Sequence, residues 1–403
     1  MNISDIRKDF PFFNRKQPFL YFDTACMSLR PQQVISAMND YYENYSSCGG
    51  RSNHDLAQHV SKLVGETREV IAKHLNAKSS DEIIFTRNAT ESMNILANGL
   101  SLQQGDTVIV SGKEHNSNLI PWLRLKEKRG ITVLITPLLQ DNTLDLAELE
   151  VLVKTATNLR LVSMVATSNV DGVTFPVANI VKIAHQQGAL VHIDGAQFIP
   201  HQKADVRALD IDFLSLSGHK MLGPSGTGIL YGKKELLDQL DTYNVGGSTV
   251  AASTYDSYEL LGVPARFEAG LQDYAGIIAL KEAFLYLQKV GYGFIHDQEL
   301  KIGKIIHEGL YADSRIKVIG PQDYTQRAGV FSFYVPGADI HEISLLLNNT
   351  YQIAVRSGQH CVHSWFNANN IHGSVRASWY FYNTEEEAEI FVKAVKSILD
   401  IVV

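Results

Sequence analysis

At 403 residues the chain is too long for one ordinary domain, and a working size of about 150 residues per domain predicts two or three. A composition of 45% hydrophobic and 20% charged residues, with 29 Gly and 11 Pro, excludes a disordered or collagen-like chain. With 36 basic against 43 acidic side chains, a net charge of −7 and no basic block, the electrostatic footprint of a nucleic-acid binder is missing.

Residues 1–19 carry Asp5, Arg7, Lys8, Asp9, Arg15 and Lys16, which leaves no apolar signal-peptide core. No run of about 18 apolar residues exists, so no membrane-spanning helix is expected. The three cysteines, Cys26, Cys48 and Cys361, are odd in number and far apart. They make neither a disulfide framework nor a Cys-x-x-Cys zinc site, so no metal centre is expected and a reducing, cytoplasmic setting is.

From residue 57 the pattern alternates between helical and strand periods. Val60, Leu63, Val64, Val70, Ile71 and Leu75 recur at helical spacing, and Glu82-Ile-Ile-Phe-Thr86 reads as a strand. A helix through Met93, Ile95, Leu96 and Leu100 follows. Further strands are predicted at 107–111, 131–135, 161–165, 189–194, 212–217 and 228–231, with helices near 117–130, 144–155 and 178–187. Several of these strands are almost continuously apolar, as expected when helices cover both faces of a sheet. The fold class is therefore α/β, with a large, mostly parallel sheet. The last stretch differs. Long amphipathic helices near 274–290 and 294–311 lead to strands at 329–335 and 374–381. A final helix starts at the capping-box pattern Thr384-Glu-Glu-Glu387. This predicts a smaller α+β C-terminal domain.

Ligands of an open α/β sheet gather at the carboxyl ends of its strands. Four polar clusters fall there: Asp194-Gly-Ala-Gln197, Ser217-Gly-His-Lys220, Thr167-Ser-Asn169 and Arg87-Asn-Ala-Thr90. Singly each is ordinary, since a strand-end Asp usually caps a turn and a Thr at a helix start usually caps the helix. Together they meet the needs of one cofactor. Pyridoxal 5′-phosphate requires a lysine that holds it covalently, an acid beside its ring nitrogen and a phosphate cradle. Lys220, Asp194 and the helix start at Thr90 supply the three.

The run from Asp194 to Gln197, followed by Ser217-Gly-His-Lys220-Met-Leu-Gly-Pro-Ser-Gly-Thr-Gly228, resembles the class V, fold-type I pyridoxal-phosphate enzymes. The resemblance spans nearly the whole chain, through Tyr21-Phe-Asp-Thr-Ala25, Glu114-His-Asn-Ser-Asn118, Phe267-Glu-Ala-Gly270 and Tyr382-Asn-Thr384. Ala354-Val-Arg356-Ser-Gly-Gln-His360-Cys361 with Ser374-Val-Arg376-Ala-Ser378 is similar to the group II cysteine desulfurases and selenocysteine lyases. The resemblance implies an N-terminal arm at 1–20 on the small domain, a cofactor domain at 21–288 and a small domain at 289–403 carrying the nucleophile loop. It implies that Lys220 holds the cofactor and moves the substrate α-proton, that Asp194 keeps the ring nitrogen protonated, and that His115 stacks on the ring and shuttles a proton to sulfur. Gln197 would bond the phenolate oxygen. Ala89, Thr90, Ser217 and His219 would surround the phosphate. Arg376, helped by Asn169, would clamp the substrate carboxylate, a fork that Lys does not reproduce. Arg356 would be a second cation, and Ala25 would lie near the substrate. Cys361, in an exposed loop beside Arg356 and His360, would be the nucleophile that carries sulfur away as a persulfide.

For function, the resemblance implies conversion of L-cysteine to L-alanine by a homodimer, with sulfur passed to an acceptor or iron–sulfur scaffold protein. L-Selenocysteine is the alternative substrate, and a C–S lyase, epimerase or aminotransferase is the alternative activity. Cys26 and Cys48 read as bystanders, with a secondary substrate contact as the alternative for Cys26, which follows Ala25. Three segments depart from the family pattern. Leu271, followed by Gln272, stands where the family has a threonine that reaches the partner's phosphate site. Gly50-Arg-Ser-Asn-His54 lacks the first His of the family's substrate-entrance segment. Trp365 and Phe366 follow the nucleophile, and packing of the loop is the expected role for both.

Overall fold

In chain order the strands are β1 (Leu20–Tyr21), β2 (Ile83–Thr86), β3 (Thr107–Ser111), β4 (Thr132–Thr136), β5 (Leu159–Val165), β6 (Leu190–Asp194), β7 (Phe213–Ser217) and β8 (Gly228–Gly232). They continue with β9 (Val250–Ser253), β10 (Tyr258–Leu260), β11 (Lys317–Ile319), β12 (Val330–Tyr334), β13 (Ile353–Ala354), β14 (Arg356–Gly358) and β15 (Ser374–Ser378). The structure, a computed structural model, describes residues 2–403.

Seven strands form one sheet in the order β2-β8-β7-β6-β5-β3-β4. It is parallel except at β8, which runs antiparallel to both neighbours. All seven lie within two residues of the expected positions. Their alternate side chains feed two cores. Ile83, Phe85, Ile109, Ile229 and Tyr231 join the larger one, and Ile84, Val108, Val110 and Leu230 join the core on the other face. Two buried faces explain why the inner strands read as apolar runs, whereas the edge strand β4 leaves Ile135 exposed.

A second sheet, β11-β12-β15-β14, is antiparallel. It packs with the helices Tyr292–Leu310, Ile340–Tyr351 and Glu385–Val402 around Ile302, Ile306, Phe331, Phe333, Val375, Phe391 and Val395. The capping box at Thr384 is present: the Glu387 N–H donates to Thr384 Oγ1, and the Thr384 N–H donates to Glu387 Oε2, each at 3.2 Å.

The strand expected over 374–381 stops at Ser378. Tyr380, Phe381 and Tyr382 leave the small sheet and enter the larger core, where the rings of Phe381 and Tyr382 lie 6.1 and 5.1 Å from that of Phe10. Burial of three aromatics between the two bodies outweighs continuation of the ladder. The N-terminal segment bridges both bodies. Arg7 donates to the Tyr382 carbonyl and pairs with Glu387 at 2.8 Å, and β1 pairs in parallel with β13.

Candidate active site

The carboxyl ends of β2, β3, β5, β6 and β7 converge on a cavity of about 230 Å³. Every expected site residue lines it: Ala25, Ala89, Thr90, His115, Asn169, Asp194, Gln197, Ser217, His219, Lys220, Arg356, Cys361 and Arg376. They come from both sheets and from loops up to about 350 positions apart, so only the fold brings them together.

The candidate phosphate cradle begins where β2 turns into the helix Ala89–Gly99. Asn88 caps that helix by accepting from the Glu91 N–H at 3.0 Å. Ser217 Oγ accepts from the Ala89 N–H at 2.9 Å, while Thr90 Oγ1 pairs with Ser117 Oγ at 2.7 Å. The Thr90 N–H has no acceptor among the described residues. Gly228 makes the approach possible, because a Cβ there would lie 2.5–2.8 Å from the Asn88 backbone. The His219 ring has no hydrogen-bond partner among the described residues, and burial followed by the Lys220 cation pushes it down to about 4. It is a neutral donor.

Asp194 closes β6, and its Oδ1 accepts from the Ala196 N–H at 3.0 Å. Burial pushes this carboxyl up, while Lys220 pulls it back. Lys220 ends a single 3-10 turn after β7. Its amine has no hydrogen-bond partner among the described residues; burial pushes it down, against Asp194, with Arg376 adding to the fall. His115 caps the helix Asn116–Arg129, with Nδ1 accepting from the Ser117 N–H at 3.1 Å. Burial, then Lys220 and the two arginines, push it down to about 3. A neutral ring that accepts at Nδ1 carries its proton on Nε2.

Arg356 and Arg376 face each other across β14 and β15. Like charges directly opposite repel, and here they are held apart by separate acceptors. Arg376 donates to the Asn169 carbonyl at 3.0 Å and to Asp23 at 3.2 Å, and its buried Nε has no partner. Arg356 donates to the Cys26 sulfur at 2.7 Å. Asn169 uses one amide hydrogen on the His360 carbonyl at 2.8 Å, and Gln197 donates to the Ala25 carbonyl at 2.6 Å.

Cys361 lies between β14 and the short helix His363–Ala368 and is half-buried, less open than the exposed loop expected. His360 and Cys361 hold φ of 49° and 60°, two successive non-glycine residues in the left-handed region. That conformation costs about 1–2 kcal/mol per residue. It is fastened by Asn169 on the His360 carbonyl and by the Asn116 N–H on the Cys361 carbonyl at 2.7 Å. Trp365 and Phe366 are buried with Val170, Ile319 and Val362, so they pack the loop, as expected.

Two expectations need correction. His360 stands beside Cys361, as expected, but as a neutral ring. It is buried, its Nε2 pairs with Ser374 Oγ at 2.8 Å, and burial with both arginines pushes it well below its ordinary value. The segment Gly50 to His54 does not line this cavity within the chain. His54 caps the helix Asp55–Leu75, and Arg51 bonds Ser248 beside a separate pocket that includes Gln272 and Tyr274. Gln272 itself turns back to the Ala269 and Gly270 carbonyls, while Leu271 is 68% exposed.

Sequence reading gave no role to Glu114 or Ser117, and to Cys26 only a secondary contact through its place beside Ala25. Ser117 could have been found, since it shares the strand-to-helix turn of His115. Glu114 is buried and accepts from Ser111, Asn118 and the Val165 N–H, yet burial outweighs those bonds and pushes it up to about 7. Among the described residues no three His, Cys, Asp or Glu side chains converge as a metal site.

The family model described as aminotransferase class-V matches residues 20–391. The chain belongs to the class-V aminotransferase family. Within that family its relatives include a probable cysteine desulfurase of Pyrococcus abyssi, 38% identical over 398 residues and covering 98% of this chain and 97% of the relative. A probable cysteine desulfurase of Synechocystis is 35% identical, covering 98% and 95%. The apo structure of a cysteine desulfurase from Thermococcus onnurineus superposes with a TM-score of 0.94 at 36% identity, covering 100% and 99%. The cysteine desulfurase CsdA of Escherichia coli superposes at 0.91 and 32%, covering both chains fully. This class-V chain therefore sits on the cysteine desulfurase branch.

Proposed function

We propose that the chain is a pyridoxal 5′-phosphate-dependent cysteine desulfurase that converts L-cysteine to L-alanine and keeps the sulfur as a persulfide on Cys361. The observation that carries this reading is one cavity holding an unpaired lysine amine, a buried carboxyl, two opposed guanidinium groups and a thiol.

The residues fit the cofactor. Asp194 is a buried carboxyl with one backbone donor and no ion pair among the described residues, so a protonated ring nitrogen at its second oxygen satisfies it. Thr90, with a free N–H at a helix start, and the Ser217 and His219 side chains are donors suited to a phosphate. When bound, the cofactor holds the substrate amino group and draws electrons from its Cα.

The chain's own groups do the rest. Lys220, favoured in its neutral form by burial, takes the α-proton and gives it back. Arg376 presents an unpaired Nε toward the substrate carboxylate, and Arg356 supplies a second cation beside it, with Asn169 between them and the loop. His115 holds a proton on Nε2 for the substrate sulfur. Gln197 and Ala25, joined by a hydrogen bond, form part of the cavity wall. The Cys361 sulfur attacks the substrate sulfur; an S–S bond forms as the C–S bond breaks. The half-buried thiol on a strained, fastened loop supports that role.

We assign 1–20 as the arm, 21–288 as the cofactor domain and 289–403 as the small domain. Exposed Tyr243, Val245, Tyr255, Tyr258 and Leu271 support a homodimer. Three free thiols support a cytoplasmic setting and delivery to an acceptor or iron–sulfur scaffold protein.

The test is incubation of the holoenzyme with L-cysteine and a reductant. Equal yields of alanine and sulfide are expected, and Cys361→Ala removes sulfur transfer while the cofactor absorbance stays. Pyruvate in place of alanine makes the protein a lyase and sinks the reading. Comparison of kcat/KM for L-cysteine and L-selenocysteine assigns the preferred element.

A further inference from the structure

Cys26 is a free thiol that the reaction above leaves unused. It follows the wall residue Ala25, whose N–H donates to Ser378 Oγ at 2.9 Å and whose carbonyl accepts from Gln197 at 2.6 Å. Its own N–H donates to the Asp23 carbonyl at 3.1 Å. This stretch of backbone is therefore held in place, and the thiol lines the same cavity of about 230 Å³ as Cys361. A guanidinium has only donors, so the Cys26 sulfur is the acceptor in its 2.7 Å contact with Arg356 Nη1. The groups given above to the cofactor and the substrate carboxylate face the same space, so the sulfur is released in the cavity that Cys26 lines. The Lys220 amine opens onto it without a hydrogen-bond partner among the described residues, and Arg376 Nε, in a side chain that is 2% exposed, is unpaired.

We propose that Cys26 is a second sulfur-carrying thiol, which takes the terminal sulfur of the Cys361 persulfide within the same chain. The proposal rests on the desulfurase reading, because that persulfide is its donor. The exchange is balanced without any oxidant. Cys26 loses its proton to solvent, and its sulfur attacks the terminal sulfur of Cys361–S–SH. A new S–S bond forms on Cys26, and the bond to Cys361 breaks with its electron pair left on Cys361, which is then free for another substrate. Arg356 binds the attacking sulfur before the exchange and stays close to the persulfide that results. A small cavity with both thiols on its wall makes the transfer intramolecular, so it competes with an external acceptor through effective concentration.

The test uses the holoenzyme with excess L-cysteine and no reductant or acceptor, trapping persulfides by alkylation and mapping them by peptide mass spectrometry. Wild-type protein is expected to carry sulfane sulfur on both Cys26 and Cys361 and to release about twice the alanine burst of Cys26→Ala. In Cys361→Ala, Cys26 is expected to carry none. Persulfide on Cys361 alone, with equal bursts in wild type and Cys26→Ala, overturns the relay and leaves the desulfurase reading intact. Persulfide on Cys26 in Cys361→Ala shows direct loading and also overturns it. A Cys26–Cys361 disulfide with release of sulfide shows attack on the inner sulfur, and that too overturns the relay. Wild-type protein with neither persulfide nor alanine overturns both readings.

Discussion

Arg376 is 2% exposed, and both of its terminal nitrogens have protein acceptors while Nε has none. A buried guanidinium with one idle donor is costly unless a ligand supplies the acceptor. Lysine keeps the charge but cannot hold the Asn169 carbonyl, Asp23 and a carboxylate at once. Arg376→Lys is therefore expected to raise KM for L-cysteine by about 10–100-fold, the equivalent of one or two charge-assisted hydrogen bonds. Steady-state kinetics with cofactor absorbance as the control checks this, and an unchanged KM removes Arg376 from the carboxylate site. The motifs were legible at this scale because strand-end polar residues stand out against apolar strands. The partners were not. Nothing in the sequence near His360 says that it is buried and neutral, since burial by the fold and then the two arginines decide it. The contact of Arg356 with Cys26 joins residues 330 positions apart.

Most elements of the main sheet were legible for a physical reason: strands buried on both faces need apolar side chains at most positions. Where burial is one-sided or brief the signal fades. The two-residue pair β1 and β13 and the exposed hairpin of β9 and β10 left no pattern to read. The overrun beyond Ser378 has the opposite cause, since an aromatic run has strand character but belongs here to another core. Gly228 carries the prediction at this scale. It lets β8 approach the Asn88 turn, and the methyl of Gly228→Ala meets that backbone at 2.5–2.8 Å. Backbone cannot rotate aside as a flexible side chain does, so the start of the helix Ala89–Gly99 must shift. A loss of about 1–3 kcal/mol is expected, together with weaker retention of the cofactor on dialysis. Thermal unfolding with and without added cofactor measures both. A variant as stable and as tightly loaded as wild type shows that the turn is not tightly set by this contact.

Over the whole molecule, acid stability follows from groups buried in their neutral form. His192 of β6 bridges Ser163 of β5 and Ser215 of β7, with ring nitrogens 2.8 Å from each hydroxyl, and burial pushes it down to about 3. His115 falls to about 3 and His74 to about 4 for the same first reason. A histidine whose folded value lies below its unfolded 6.5 contributes stability that is complete above pH 6.5 and is lost as pH falls toward the folded value. Glu114 acts in the other direction. Its folded value of about 7 lies above its unfolded 4.5, so its contribution is complete below pH 4.5 and is lost as pH rises through 7. The histidines outnumber it, so the chain is expected to weaken as pH falls below 6.5. At pH 4, His192 alone accounts for about 3 kcal/mol of that loss, at about 1.4 kcal/mol per pH unit. Urea unfolding across pH 4–7 tests the assignment with two variants. His192→Gln keeps a polar side chain between the serines but cannot take up a proton, so its stability should fall less with acid than that of wild type. Glu114→Gln removes the opposing group and should make the fall steeper. Parallel curves for wild type and His192→Gln would mean that this histidine is not held neutral, and the acid lability would then belong to another part of the molecule.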